Sequence, residues 1–230
     1  MQIILDMTTM ANIATILFSA VMATFLFSLW YRQENRLYSD LPLMFGITLL
    51  TQAINNFILI IPVLGIAPAS LELFRFRSLV IIGTAFPMLV VLITIWLPRL
   101  KRHHSKILGL LAVYWVTVAL LGPSEAIIMM LHLPVIAVMT LGMIVTFSIT
   151  WKTNRLKEVR SDYMVLSFIL GFAGQVGKVP MMNMGLDVLG HLINAVATVL
   201  IALALYNPWY RREKAVLAKT EDTPMASVTI

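Results

Sequence analysis

Two histidines lie within apolar stretches, each following an acid at a spacing that shares a helix face. Glu125, Met129 and His132 fall at i, i+4 and i+7, and Asp187, His191 and Asn194 repeat that spacing. Residues three, four or seven apart project from one side of a helix. An imidazole below a carboxylate can hold a proton, contact a polar solute or ligate a metal. Other polar groups accompany them: Thr48, Gln52, Asn55 and Asn56 in one apolar stretch, Gln175 and Lys178 in another, and Arg75 and Arg77 at the head of a third. Such groups are costly in hydrocarbon and turn toward a bundle interior. They are therefore expected to line a polar pocket closed below by apolar side chains.

Each residue also has a simpler explanation. Glu125 follows Pro123-Ser124 and Asp187 opens a helix, where an acid complements the helix dipole. Arg75, Arg77 and Lys178 can snorkel to headgroups, and the amides can bond neighbouring helices. Met129, Met130, Met181, Met182 and Met184 cluster near both histidines. Thioethers with imidazole suit Cu(I), yet methionine is also a filler of apolar gaps. The metal candidates are accordingly His132, His191, Met129, Met182 and Met184. The cofactor, if there is one, is left open between haem and copper.

Enzymatic chemistry finds little footing. The chain has no Cys, which removes thiolate nucleophiles, thiolate metal sites and disulfides. Gly122-Pro123-Ser124-Glu125 resembles part of the Gly-x-Ser-Gly of rhomboid intramembrane proteases, with His191 in the place of the base. Here Glu125 replaces the second Gly, and the His/Asn pair of an earlier helix is missing, so a Ser/His hydrolase is a minor alternative. No Lys lies between Asp187 and Tyr210, which excludes a retinal Schiff base in the last span. The sequence assigns no family.

The elements that position these groups are membrane spans. Of 230 residues, 60% are hydrophobic and 12% charged, and the mean hydropathy is +0.89. Charge-free stretches at Met7–Trp30, Leu41–Leu64, Ser78–Leu97, Ala126–Trp151 and Val188–Tyr210 can each cross a core that needs roughly 20 residues. Ile107–Leu121 and Tyr163–Gly177 are shorter. Counting them as spans sorts all but three of the 17 Lys and Arg residues to one side, the exceptions being Arg75, Arg77 and Lys178. Cytoplasmic loops retain Lys and Arg, so seven helices with the N-terminus outside and the C-terminus inside are expected. Trp30, Trp96, Trp151, Trp209 and Tyr210 then mark the inner boundary. Pro87 and Pro134 should kink the third and fifth helices. Residues 1–210 form the transmembrane domain and 211–230 a short charged tail without an output domain. The pI near 9.8 reads as topology and contact with anionic lipid, not nucleic-acid binding.

An internal repeat is also visible. Trp30, then Asn35-Arg36-Leu37 and Ser39-Asp40, is matched by Trp151, then Asn154-Arg155-Leu156 and Ser161-Asp162. Trp96-Leu-Pro98 is matched by Tyr206-Asn-Pro208. Helices 1–3 and 5–7 would then be parallel units joined by helix four, as in transporters with a site between halves. The reading is a multi-pass cell-membrane protein, non-enzymatic, binding a small polar or charged solute in an outward-facing pocket. Transport is preferred; the alternatives are a sensor acting through a membrane or cytoplasmic protein partner and a redox-complex subunit.

Overall fold

A computed structural model describes residues 7–33, 37–154, 159–184 and 186–206. The side chains of Gln175, Lys178, Met182 and Asp187 lie outside the described residues, as does the tail beyond Tyr206. Among the described residues the chain is all helical, with α1 (Met7–Tyr31), α2 (Leu41–Ile60), α3 (Leu71–Val80), α4 (Ile82–Trp96), α5 (His104–Leu121), α6 (Glu125–Thr153), α7 (Ser161–Asn183) and α8 (Asp187–Leu205). A 3-10 turn at Pro98–His103 leads into α5. Six stretches are long and apolar enough to cross a membrane: Thr9–Tyr31, Leu41–Ile60, Leu71–Trp96, Pro98–Leu121, Glu125–Thr153 and Val188–Leu205. Ser161–Gly174 is a shorter apolar segment.

Local chemistry sets the boundaries. Ser70 caps α3, its Oγ accepting from the Leu73 amide at 3.2 Å, and Ser124 caps α6 in the same way through the Ile127 amide. Each seryl oxygen satisfies an amide that has no partner within its helix. Asn154 closes α6 with φ 51°, a left-handed conformation that asparagine tolerates. The third hydrophobic helix differs from the sequence expectation. It begins at Leu71, not Ser78, so Arg75 and Arg77 lie inside it, and it breaks at Ile81. Pro87 cannot donate to Gly83 and crowds that carbonyl, which places the disruption in the turn where α3 gives way to α4. Pro134, by contrast, is accommodated within one helix running from Glu125 to Thr153.

The helices pack as a ring. α1 contacts α2 and α8, α2 contacts α4, α4 contacts α6, α6 contacts α7, and α7 returns to α8. α5 stands outside this ring against α3, α4 and α6. The main core comprises Ala23 and Leu26 of α1, Phe45 and Leu49 of α2, Met88 and Leu92 of α4, Met143 and Phe147 of α6, and Met164 of α7. All these positions lie toward the helix ends that carry Trp30, Trp96 and Trp151, so this end of the ring is filled. Outward faces bear Leu17, Val21, Leu110, Leu133, Val138 and Leu192, each at least half exposed, as contact with lipid tails requires. Lipid is as apolar as leucine, so helix association here rests on close packing and hydrogen bonds.

Close packing makes glycine the sensitive residue. A Cβ at Gly83 would stand 2.5 Å from Thr51 Oγ1 and 2.9 Å from its Cγ2. Thr51 cannot readily yield, because its hydroxyl donates to the Ile47 carbonyl at 2.8 Å. Gly83→Val should therefore cost about 1–3 kcal/mol and lower the melting temperature in detergent. Gly109→Ala, where nothing lies within 4 Å, should leave it unchanged or slightly raised. Equal melting temperatures for the two variants would refute the α2–α4 packing.

Candidate functional site

The polar groups fall on a face of α1 that sequence reading passed over. Thr9, Asn12, Thr15 and Ser19, followed by Ala23 and Leu26, recur every three or four residues and form one stripe. Thr9, Thr15 and Ser19 are buried, as are Ala23 and Leu26. The stripe is thus polar toward Met7 and apolar toward Trp30. It meets α8, where His191 Nδ1 lies 3.1 Å from Thr15 Oγ1. Thr9, Asn12 and His191 engage further groups as well. On α8, Asn194 is half-buried, and Gly174 of α7 admits it: a Cβ there would lie 3.4 Å from Asn194 Oδ1. Ser167 of α7 donates to the Ala197 carbonyl at 2.8 Å, which fixes the α7–α8 register next to this group.

Helix α2 packs against both α1 and α8 and carries Gln52, Asn55 and Asn56, all half-buried. Asn55 Oδ1 is buried and has no hydrogen-bond partner among the described residues. Asn55 lies about 21 Å along α2 from Leu41, and His191 about 21 Å along α8 from Leu205, at ~1.5 Å per residue. The structure therefore brings His191 to Thr15 of α1, while Asn194 lies against Gly174 of α7.

His132 belongs to a different cluster. It is 4% exposed, stacks on Trp115 with ring centroids 3.9 Å apart and 6° between planes, and places Nε2 3.2 Å from the Trp115 carbonyl oxygen. A carbonyl can only accept, so Nε2 carries the proton. Trp115 Nε1 in turn donates to the Ser78 carbonyl at 2.8 Å, and α3, α5 and α6 are joined through one buried knot. Above it, Arg75 donates to the Gly122 carbonyl at 2.9 Å. Arg77 lies over the Phe74 ring and within electrostatic range of Glu125, which is exposed. The two arginines brace the α5–α6 turn. Sequence spacing placed both histidines in one cavity; the structure instead turns His132 to α5 and His191 to α1.

Met129 is 56% exposed and Met184 72% exposed, and no group of three or more His, Asp or Glu residues that could hold a metal occurs among the described residues. Ser124 serves as the cap of α6. Two concavities lie at the tryptophan end, one of about 190 Å³ lined by Trp151, Asn154, Arg160 and Asp162, the other of about 510 Å³ along Thr24, Phe27, Trp30 and Arg32. They occupy equivalent ends of α1 and α6, on the side away from His191.

The His132–Trp115 knot carries a stability prediction. Trp115→Phe keeps the stack but leaves the buried Ser78 carbonyl without its donor, at a cost of about 1–3 kcal/mol. His132→Leu and Trp115→Leu each remove the stack. In a double-mutant cycle read by thermal denaturation, the pair should couple by about 0.5–1.5 kcal/mol. Strict additivity would mean that the two rings do not touch.

No protein-family model matches the chain, and no curated protein or solved structure is significantly similar to it.

Proposed function

We propose that this chain is a seven-span membrane protein that admits a small polar solute between α1, α2 and α8 from the side opposite the tryptophans, and that it transports that solute. The observation that carries the proposal is the divided stripe of α1. Its polar half runs from Thr9 to Ser19 and meets His191 at Thr15, and its apolar half, Ala23 and Leu26, belongs to the packed core. A water-filled vestibule above an apolar closure has this distribution, and intramembrane polar groups mark solute paths.

Seven spans follow when α7 is counted. Its 23 residues, Ser161–Asn183, reach about 34 Å at ~1.5 Å per residue. The charge distribution then places the N-terminus outside. Transport draws on the order of the ring. If spans 1–3 were duplicated as spans 5–7, the neighbours α1–α2, α2–α4 and α1–α8 would exchange with α6–α7, α7–α8 and α6–α4. All six of these pairs are in contact, and α5, the linker of such a duplication, lies outside the ring. Two parallel halves can rock about a site between them. A redox-subunit reading gains little from His132, which is buried with its ring stacked on Trp115.

The absence of Cys allows a direct test by single-cysteine labelling with a membrane-impermeant thiol reagent. Asn12→Cys, Gln52→Cys and Asn194→Cys should react from outside in intact cells, whereas Leu26→Cys and Met143→Cys should not. Ser105→Cys and Lys152→Cys should react only after permeabilisation. Protection of all three seam positions would refute the vestibule, and outside labelling at Ser105 or Lys152 would refute the topology.

A further inference from the structure

The turn between the third and fourth hydrophobic stretches concentrates positive charge at one depth. No acid occurs between Glu72 and Glu125, while Arg99, Lys101, Arg102 and Lys106 crowd together within that interval. All four are exposed, and none forms an ion pair among the described residues. The apolar stretches Leu71–Trp96 and Pro98–Leu121 are separated by Leu97 alone, so the turn lies at the membrane surface. Its own bonds hold it there. Pro98 opens the 3-10 turn, and the Leu97 carbonyl accepts from the Leu100 amide at 2.9 Å and from His104 Nε2 at 2.8 Å. Trp96 Nε1 donates to Thr146 Oγ1 at 2.7 Å, which ties the start of the turn to α6. Beside the cations, Trp96, Leu97 and Leu100 are exposed as well. A phospholipid complements both features, with an anionic headgroup and an acyl chain, where a soluble acidic segment complements only the first.

Helix α5 gives lipid phosphate a further reason to reach this surface. Beyond Lys106 its apolar part, residues 107–121, extends about 22 Å at ~1.5 Å per residue, whereas a hydrocarbon core is about 30 Å thick. A short span thins the bilayer locally or draws its flanking cations to the headgroups. α5 stands outside the ring, and Leu110, Val113 and Leu121 are exposed, so lipid meets it directly. We infer that residues 96–106 form a docking surface for anionic phospholipid, with Arg99, Lys101, Arg102 and Lys106 facing phosphates and Trp96, Leu97 and Leu100 facing the ester and first acyl carbons. Guanidinium groups take phosphate oxygens in pairs, and ammonium groups act as point charges. Each cation near an anionic surface strengthens the attraction roughly fivefold, so the four need not touch one headgroup. The surface is separate from the solute path at α1 and α8.

The test uses the full chain in lipid nanodiscs. Ser105→Cys, exposed within the cluster, gives one attachment point in a chain without Cys. A fluorophore there should be quenched by phosphatidylglycerol carrying a nitroxide high on its acyl chain in preference to phosphatidylcholine carrying the same nitroxide. The ratio of the two association constants should be about tenfold or more, and added salt should reduce it. Arg99→Gln, Lys101→Gln and Arg102→Gln together should lower the ratio by about tenfold or more, while Lys152→Gln at the end of α6 leaves it intact. If the triple variant fails to fold, Arg102→Gln alone should still lower the ratio roughly fivefold. Equal association of the two lipids with the unmodified cluster would overturn the docking surface, as would a preference that survives loss of its cations. Full displacement of phosphatidylglycerol by soluble polyglutamate, at a salt concentration where the preference otherwise persists, would overturn it in favour of an acidic protein partner.

Discussion

A hydrocarbon interior offers no water to hydrogen-bond, so each polar group within it must find its partner in the protein. The threonines of this chain meet that constraint in one recurring way. Thr15, Thr24, Thr48, Thr51, Thr140, Thr146, Thr153 and Thr198 each donate to the carbonyl four residues earlier in their own helix. With that proton committed, the oxygen can accept from a neighbouring helix, although Thr48 also points its hydroxyl at the Thr84 carbonyl of α4, at 3.4 Å. Thr146 accepts from Trp96 Nε1 at 2.7 Å, which ties α6 to α4. Thr15 Oγ1 meets His191 Nδ1 at 3.1 Å and ties α1 to α8. These are equivalent helix pairs under the proposed duplication, joined by the same chemistry at different depths.

The rest of the architecture grades from that constraint. Toward the tryptophans the ring is filled by Phe45, Met88, Met143, Phe147 and Met164, and stability there comes from dispersion contacts that lipid could otherwise supply. Away from the tryptophans the same helices change character. α1 presents Thr9 to Ser19, α2 its amides, and α8 His191 and Asn194. The other buried histidine shows the contrast: His132 is held by a ring stack and a carbonyl, and its surroundings read as a joint between α3, α5 and α6. Two histidines at matching sequence spacing thus have different partners, His132 on α5 and His191 on α1.

Much of the framework is legible in the sequence because hydropathy and charge report directly on a membrane. Leu41 and Asp187 begin helices where expected, and the tryptophan-bearing ends of α1, α4 and α6 fall near the basic loops. The start of the third hydrophobic helix is not legible from charge-free length, since Ser70 capping carries it back to Leu71 through two arginines. Ile107–Leu121 is extended by the turn at Pro98 and the N-terminal residues of α5. The site is only half legible. His191, Asn194 and the α2 amides stand out by type, but Thr9, Thr15 and Ser19 are nearly neutral in hydropathy and are exposed as a stripe only by their three- and four-residue spacing. The Trp115 stack on His132 depends on the facing of two helices, which no periodicity within either one states. The methionines show the same dependence: Met129 and Met130, adjacent in sequence near His132, are both exposed.

The central claim is that the polar half of α1 and α8 is wetted while the core beneath it is dry. Water-edited solid-state NMR of the protein in bilayers measures this without altering a residue. Polarisation from water should reach Thr15 and His191 rapidly, at rates close to that of an exposed helix-end residue such as Ser105, and should reach Leu26, Met143 and Phe147 slowly. Equally slow transfer to His191 and to Met143 would contradict the account and make the α1–α8 bond a purely structural tie.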